Sequence, residues 1–261
     1  MVKTHFNFSN KTITINGYSK DDWIFSSIAT NKTFYEVDLL KYMRFALSQQ
    51  TGHILDIGAN IGNHSVFFGK IMNLNVLCFE PNPPIFQILE ENLSTNNVKY
   101  KAYCIGLGAH SGQYSIDDTH AAAEGNIGAA KLFASSNGQI IVKTLDKVLE
   151  IGVDDCSRII AIKADIEGME AEMLKGGIET LKTYKPDLFL EINDESLMQE
   201  IESIIYPLGY KKLYAFAGTP VWHFSHSSKL SIRQKYRLWT YYKAIKGKSL
   251  IGRFIRVLKY K

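Results

Sequence analysis

The sequence predicts an α/β chain of Rossmann-like type, with a mostly parallel sheet, helices on both faces and one antiparallel strand near an edge. Three observations carry this reading. Strand-like and helix-like segments alternate over about 170 residues. The segment Asp56-Ile57-Gly58-Ala59-Asn60-Ile61-Gly62 joins an apolar strand to a helix, and an acidic residue, Glu80, ends the next strand eighteen residues past Gly62.

The elements follow in order. Polar and apolar residues interchange over 5–15, and Asn16-Gly17 is a turn dipeptide, so residues 1–32 are expected to form a hairpin extension. Within 33–47, Val37, Leu40, Met43 and Leu47 recur at helical spacing. Residues 53–57 read as a strand, 65–72 as a helix and 75–79 as a second strand, completing one βαβ unit. Pro83 and Pro84 stand where a first helical turn tolerates proline, and Ile85, Ile88, Leu89 and Leu93 continue one helical face toward Asn96-Asn97. A third strand is expected at 99–105. Residues 106–143 are rich in Gly, Ser and Ala, with strand-like stretches at 113–116 and 139–143 and irregular, partly mobile chain around 117–137. Regular alternation returns with a strand at 159–164, a helix over 169–181 interrupted at Gly176-Gly177, and a strand at 187–192. Leu197, Ile201, Ile204, Ile205 and Leu208 mark another helix. Strands at 210–216 and 221–224 close the domain, 33–227, as a hairpin about Gly218-Thr219-Pro220. The chain has no internal repeat.

The glycine turn carries the first functional signal. Glycines there occupy a tight turn at positions where side chains would stand between backbone and ligand. An acidic group ending the next strand can accept hydrogen bonds from both hydroxyls of a ribose, so turn and Glu80 together imply an adenosine-containing ligand. A pyrophosphate-binding turn reads GxGxxG, whereas here Asp56 and Asn60 interrupt the pattern. A carboxylate at that place repels a pyrophosphate. It suits the ammonium of a methionine moiety, directly or through water, while amides of residues 58–63 face its carboxylate. A nicotinamide-dependent oxidoreductase is the disfavoured alternative, and a module that binds the ligand without catalysis is a third reading.

On these segments the chain resembles the FkbM family of methyltransferases. The shared stretches are LDIGANIGNHS at 55–65, FEPNP at 79–83, NIGAA at 126–130, TLD at 144–146, IKADIEGMEAEMLKGG at 162–177 and LEIN at 190–193. The likeness runs from about residue 35 to 208 and leaves out the hairpin and the tail. It implies a class I methyltransferase fold with a seven-stranded sheet. It also implies methyl transfer from S-adenosyl-L-methionine to a hydroxyl, commonly on a sugar or secondary metabolite, as in polysaccharide biosynthesis. By position it makes Asp56, Gly58, Asn60, Gly62 and Glu80 cofactor residues, with Asn63 and Asn82 beside them and Glu36, of a Tyr35-Glu36 pair, at the methionine end. Two departures stand out: residues 126–129 read Asn-Ile-Gly-Ala where the family has an NxGG-like segment, and Gly106-Leu107-Gly108 lacks the acidic residue that many such folds set near adenine.

In open α/β sheets ligands bind beyond the carboxyl ends of the strands, where Asp165, Glu167 and Glu191 fall. Methyl transfer is an in-line displacement governed by alignment. A general base adds to that, and Asp165 is the first candidate, Glu191 the second and His64 a further one. Asp165 also counts among the cofactor contacts. Alternatively, Asp165 and Glu191 hold a divalent cation that lowers the hydroxyl's pKa. Glu167 either meets the substrate or caps the helix after Gly168. His64 is either functional or a structural helix-start residue, and His120 is equally open. Asn126 and Lys131 belong to a substrate-covering lid, and Asp146 is expected to N-cap a helix over 147–150.

Composition bounds the setting. At 46% apolar content the chain can bury a core, and nowhere do about eighteen apolar residues run together, so a soluble, unexported, cytoplasmic protein is expected. Cys78, Cys104 and Cys156 show neither CxxC spacing nor His neighbours, which excludes a disulfide framework and a zinc site of ordinary pattern. Residues 1–202 carry 17 basic and 26 acidic side chains, whereas the remaining 59 carry 13 basic and none acidic. The tail, 228–261, reads as two helical pieces parted near Gly247. In the second, Ile251, Phe254, Ile255, Val257 and Leu258 share a face opposite Arg253, Arg256 and Lys259. With Trp239, Tyr241 and Tyr242 this suits an anionic membrane surface at the inner face of the membrane, or else a helix packed on the acidic body. Nucleic acid is disfavoured because no RNA-binding motif accompanies the charge. The oligomeric state is left open.

Overall fold

A computed structural model describes residues 1–117, 131–135, 137–152, 158–216 and 220–259. Strands β1 (Val2–Phe8) and β2 (Lys11–Gly17) pair antiparallel about Ser9-Asn10, both in the left-handed region with φ of 49° and 61°. Consecutive positive φ values are what a two-residue hairpin turn of matching twist demands. The expected turn at Asn16-Gly17 is therefore misplaced. Asn16 lies within β2 instead, and its backbone N–H and carbonyl both engage the buried side chain of Asn92, at 2.7 and 2.9 Å.

Helix α1 (Trp23–Asn31) was not expected. Asp22 caps it, its Oδ1 accepting from the Phe25 amide at 2.7 Å, and Phe25 and Ile28 bury against the hairpin. Helix α2 (Val37–Ala46) begins at Glu36, itself left-handed at φ 51°. The first βαβ unit follows: β3 (His53–Ile57), α3 (Asn63–Val66) running on as a π-turn over Phe67–Ile71, and β4 (Asn75–Phe79). Next come α4 (Pro83–Thr95) and β5 (Tyr100–Tyr103). Strands β6 (Gly106–Leu107), β7 (Gly112–Asp117), β8 (Lys131–Ala134) and β9 (Ile140–Lys143) form a separate four-stranded sheet. Part of the stretch expected to be irregular is thus β8, paired with β7. The order resumes with α5 (Leu145–Gly152), β10 (Ile159–Ala164), α6 (Glu170–Lys175), α7 (Ile178–Tyr184), β11 (Asp187–Glu191), α8 (Glu195–Ile205), β12 (Tyr210–Phe216), β13 (Val221–His226) and α9 (Ile232–Lys259). The interruption between α6 and α7 falls at Gly176-Gly177, as the sequence predicts.

The central sheet has seven strands in the order β12-β13-β11-β10-β3-β4-β5, and β13 alone runs against its neighbours. This is the Rossmann-like methyltransferase arrangement. Alternate strand residues feed two cores, with Ile54 and Val76 on the hairpin side and Leu55 and Leu77 on the side of α6 and α8. Strand order reverses between β3 and β10, so a crevice opens at their carboxyl ends.

Helix α9 is continuous and does not part at Gly247, a single glycine costing about 1 kcal/mol in a helix. Tyr241 stacks on Phe45 at 3.9 Å and Tyr242 on Tyr214 at 4.6 Å, so both tyrosines dock the helix onto the domain rather than face outward. Cys78 and Cys104 are free thiols, and Cys156 lies outside the described residues.

Candidate active site

Strand β3 delivers Asp56 into the centre of the molecule. It is fully buried, one oxygen accepting from Ser65 Oγ at 2.5 Å and the other 3.7 Å from Lys163 Nζ. Burial raises its pKa, against the pull of Lys163 and Ser65. Asp56 is thus engaged within the protein by Ser65 and Lys163.

The turn after β3 owes its glycines mainly to packing. Gly58 has φ 72°, and a Cβ there would meet the Asp165 carbonyl at 1.9 Å; at Gly62, φ 85°, it would meet Leu89 Cδ1 at 2.7 Å. Between them Asn60, also left-handed at φ 50°, turns its amide to Glu80 Oε2 at 2.9 Å. The Asn82 amide reaches Glu80 Oε1, likewise at 2.9 Å. Burial pushes Glu80 up to about 7 even though these two amides pull the other way. A carboxylate has about four acceptor positions. Two are filled here, which leaves room for the two hydroxyls of a ribose.

On the other side of the cleft, Asn63 bonds both backbone groups of Tyr35, its Oδ1 accepting at 3.0 Å and its Nδ2 donating at 3.2 Å. Asn63 therefore positions the Tyr35-Glu36 pair. Glu36 Oε2 stands 3.4 Å from His64 Nε2, without a hydrogen bond to that nitrogen. Burial, with Lys163 nearby, holds His64 down at about 3, so its imidazole is neutral. Tyr35 accepts a hydrogen bond from the Trp23 indole, and Trp23 is 63% exposed at the rim.

Lys163 was not anticipated. It is buried in β10, 3.7 Å from Asp56 and 3.4 Å from Asp165 Oδ2. Burial opposes its charge, but Asp165 and Asp56 outweigh that and hold the ammonium above its ordinary range. Five of the six β10 residues, IIAIKA, are apolar, and a lone lysine in such a strand was the available signal. Asp165, one third exposed, opens into the cleft and is hydrogen-bonded by Glu191 from the end of β11. Burial works against its charge, yet Lys163 and Glu191 hold Asp165 below the usual carboxylate range.

Gly58, Asn60, Asn63, His64, Glu80, Asp165 and Glu167 thus line one cleft, joined by Tyr35, Ile24 and Lys163. Glu167 is left-handed at φ 55°, and the N-cap position of α6 is Met169, not Glu167. Asp146 does not start its own helix. Its carboxylate accepts from Thr180 and Glu179 amides at 2.9 and 3.1 Å and so caps α7, while Thr144 Oγ1 accepts from the Lys147 amide at the start of α5. His120 and Asn126 lie outside the described residues, and Lys131 is placed only as the first residue of β8. Among the described residues no three His, Cys, Asp or Glu side chains gather as a metal site would need. Asp165 already has an ammonium beside it.

The model of the methyltransferase FkbM domain matches residues 56–212, more than half of the chain. The chain belongs to the FkbM methyltransferases. Hexuronic acid methyltransferase AglP of Haloferax volcanii is 32% identical over 130 residues, 49% of this chain and 51% of that protein. Methyltransferase 1 of Beauveria bassiana is 29% identical over 143 residues, 47% of this chain and 57% of that protein. The chain thus spans about half the length of the curated relatives it matches. Among solved structures, methyltransferase FkbM from Methylobacillus flagellatus aligns at 21% identity and a TM-score of 0.47, covering 67% of this chain and 43% of that one. The Thermus thermophilus 16S rRNA methyltransferase RsmC aligns at 12% and 0.49, covering 86% of this chain and 50% of that one.

Proposed function

We propose that this FkbM methyltransferase moves a methyl group from S-adenosyl-L-methionine to a hydroxyl of a carbohydrate, a glycan or its precursor. The carrying observation is the cleft's charge: Glu80, Asp165 and Glu167 line it and Glu36 stands at its edge, against the one ammonium of Lys163, so it suits a ligand bearing a sulfonium and an ammonium. When bound, that cofactor supplies an electrophilic methyl group. Glu80 takes the ribose, and the amides about Asn60 fix Glu80. Asp56 and Asn63 act indirectly, through Lys163 and Tyr35. Asp165, held by Lys163, would accept a hydrogen bond from the acceptor's O–H and take its proton while the methyl group passes from the sulfonium sulfur, left as a neutral thioether, to that oxygen. General-base help of this kind adds roughly 10² to 10⁴ in rate. His64, neutral and weakly basic, is a wall of the site rather than its base. The relative named for hexuronic acid supports a sugar acceptor. So does Trp23, an exposed indole tied to Tyr35 at the cleft's rim, where a pyranose ring can stack. Asn126 and Lys131 remain assigned to substrate covering.

Calorimetric titration with S-adenosyl-L-methionine and with NAD, followed by transfer of labelled methyl to hexuronic acid glycosides, tests this reading. Asp165→Asn should lose at least about a hundredfold in kcat while retaining cofactor binding. Saturable binding of NAD alone, or unchanged turnover in the variant, defeats it.

A further inference from the structure

Helix α9 presents two unlike faces. Leu238, Tyr241, Tyr242 and Ile245 lie against the core, with the Tyr242 hydroxyl donating to the Ala215 carbonyl at 3.1 Å. Ile232, Tyr236 and Trp239 point away from it and are 88%, 65% and 45% exposed. Three large apolar side chains at i, i+4 and i+7 make a stripe that the domain leaves uncovered. The stripe spans about 10 Å of the helix axis, and at roughly 100° per residue exposed Lys243 follows at the same azimuth, so a cation continues its line.

Charge selects the occupant. The helix holds nine Lys and Arg and no acidic residue. By the same count Lys235 flanks the stripe on one side and Arg233 on the other, and Lys243 stands at its end. Two copies meeting stripe to stripe would bring these cations together, and nucleic acid makes no use of an exposed isoleucine. No helix among the described residues is long and apolar enough to cross a membrane. We propose that α9 lies along an anionic lipid surface, its axis in the plane, the stripe at the boundary of headgroups and acyl chains and the basic side chains on lipid phosphates. This surface is separate from the active-site cleft and does not depend on which acceptor that cleft takes.

Sedimentation of the full chain with vesicles of phosphatidylcholine alone, or with roughly one third phosphatidylglycerol, reads the binding directly. The protein should pellet with the anionic vesicles only and be released in part by high salt. The paired substitution Tyr236→Glu with Trp239→Glu should weaken partition about tenfold or more. Thermal midpoint and cofactor binding serve as controls and should not move. Absence of binding by the unaltered chain, or equal binding by the paired variant, overturns the proposal. A solution dimer that the paired variant dissociates, or binding to RNA in place of vesicles, does so too and reassigns the stripe.

Discussion

Replacing Lys163 by methionine removes the buried ammonium while keeping nearly its volume, and so isolates what the charge does. In the native chain Lys163 stands 3.7 Å from fully buried Asp56 and 3.4 Å from Asp165. Without it Asp56 keeps only Ser65 as a partner. Breaking a buried pair from one side costs about 3 to 5 kcal/mol, because the orphaned charge stays desolvated. The loss should depend on pH. Asp56 has a folded pKa above its unfolded value, so the folded chain binds the extra proton. Stability is therefore present below the unfolded value and falls as pH rises through the folded one, and removing Lys163 raises that folded pKa further. Urea unfolding of Lys163→Met should show a loss that deepens as pH rises above about 4. Adding Asp56→Asn should recover much of it, since a neutral amide needs no counter-ion. A loss under about 1 kcal/mol, or one independent of pH and not eased by the second substitution, would refute the role given to Lys163.

Cofactor affinity should rise with pH up to about 7 and then level off, because Glu80 accepts ribose hydroxyls only when ionised; titrations at several pH values check this, and Glu80→Gln should flatten the profile. Gly58→Ala should cost about 3 kcal/mol or more in thermal or urea unfolding, since its Cβ collides with the Asp165 carbonyl at a positive φ. Trp23→Ala should raise the acceptor KM roughly tenfold with kcat and cofactor affinity little changed, as expected of a stacking surface; an unchanged KM removes Trp23 from the acceptor site.

The alternating core was legible because its signals are local. Strand β3, the glycine turn, β4 and the proline-led α4 each declare themselves within a few residues, and Gly176-Gly177 marks its own interruption. Contacts between distant segments were not legible. Asn16-Gly17 has the composition of a turn, yet Asn92 claims Asn16 from across the fold, and the weaker dipeptide Ser9-Asn10 makes the bend. Asp146 is a good capping residue, but for a helix more than thirty residues on. Lys163 stands out as a lone charge in an apolar strand, but its partners Asp56 and Asp165 appear only when β10 is set beside β3. Asp56 and Asn63 fall within a recognisable motif, and only the packing shows that Asp56 is enclosed against Lys163 and that Asn63 holds the backbone of Tyr35.

Asn92 has a consequence of its own. Its single amide group donates to the Asn16 carbonyl and to the Ile61 carbonyl at 2.7 Å, so one side chain holds the end of the hairpin and the glycine turn in a shared register. The two neighbours on that amide cannot drift independently. A shift of the hairpin by one residue would break its bonds to Asn16 and loosen the grip on Ile61. The extension that looks like an ornament on the domain is therefore a buttress, and changes in its length or sequence would be felt as changes in how firmly the glycine turn is held.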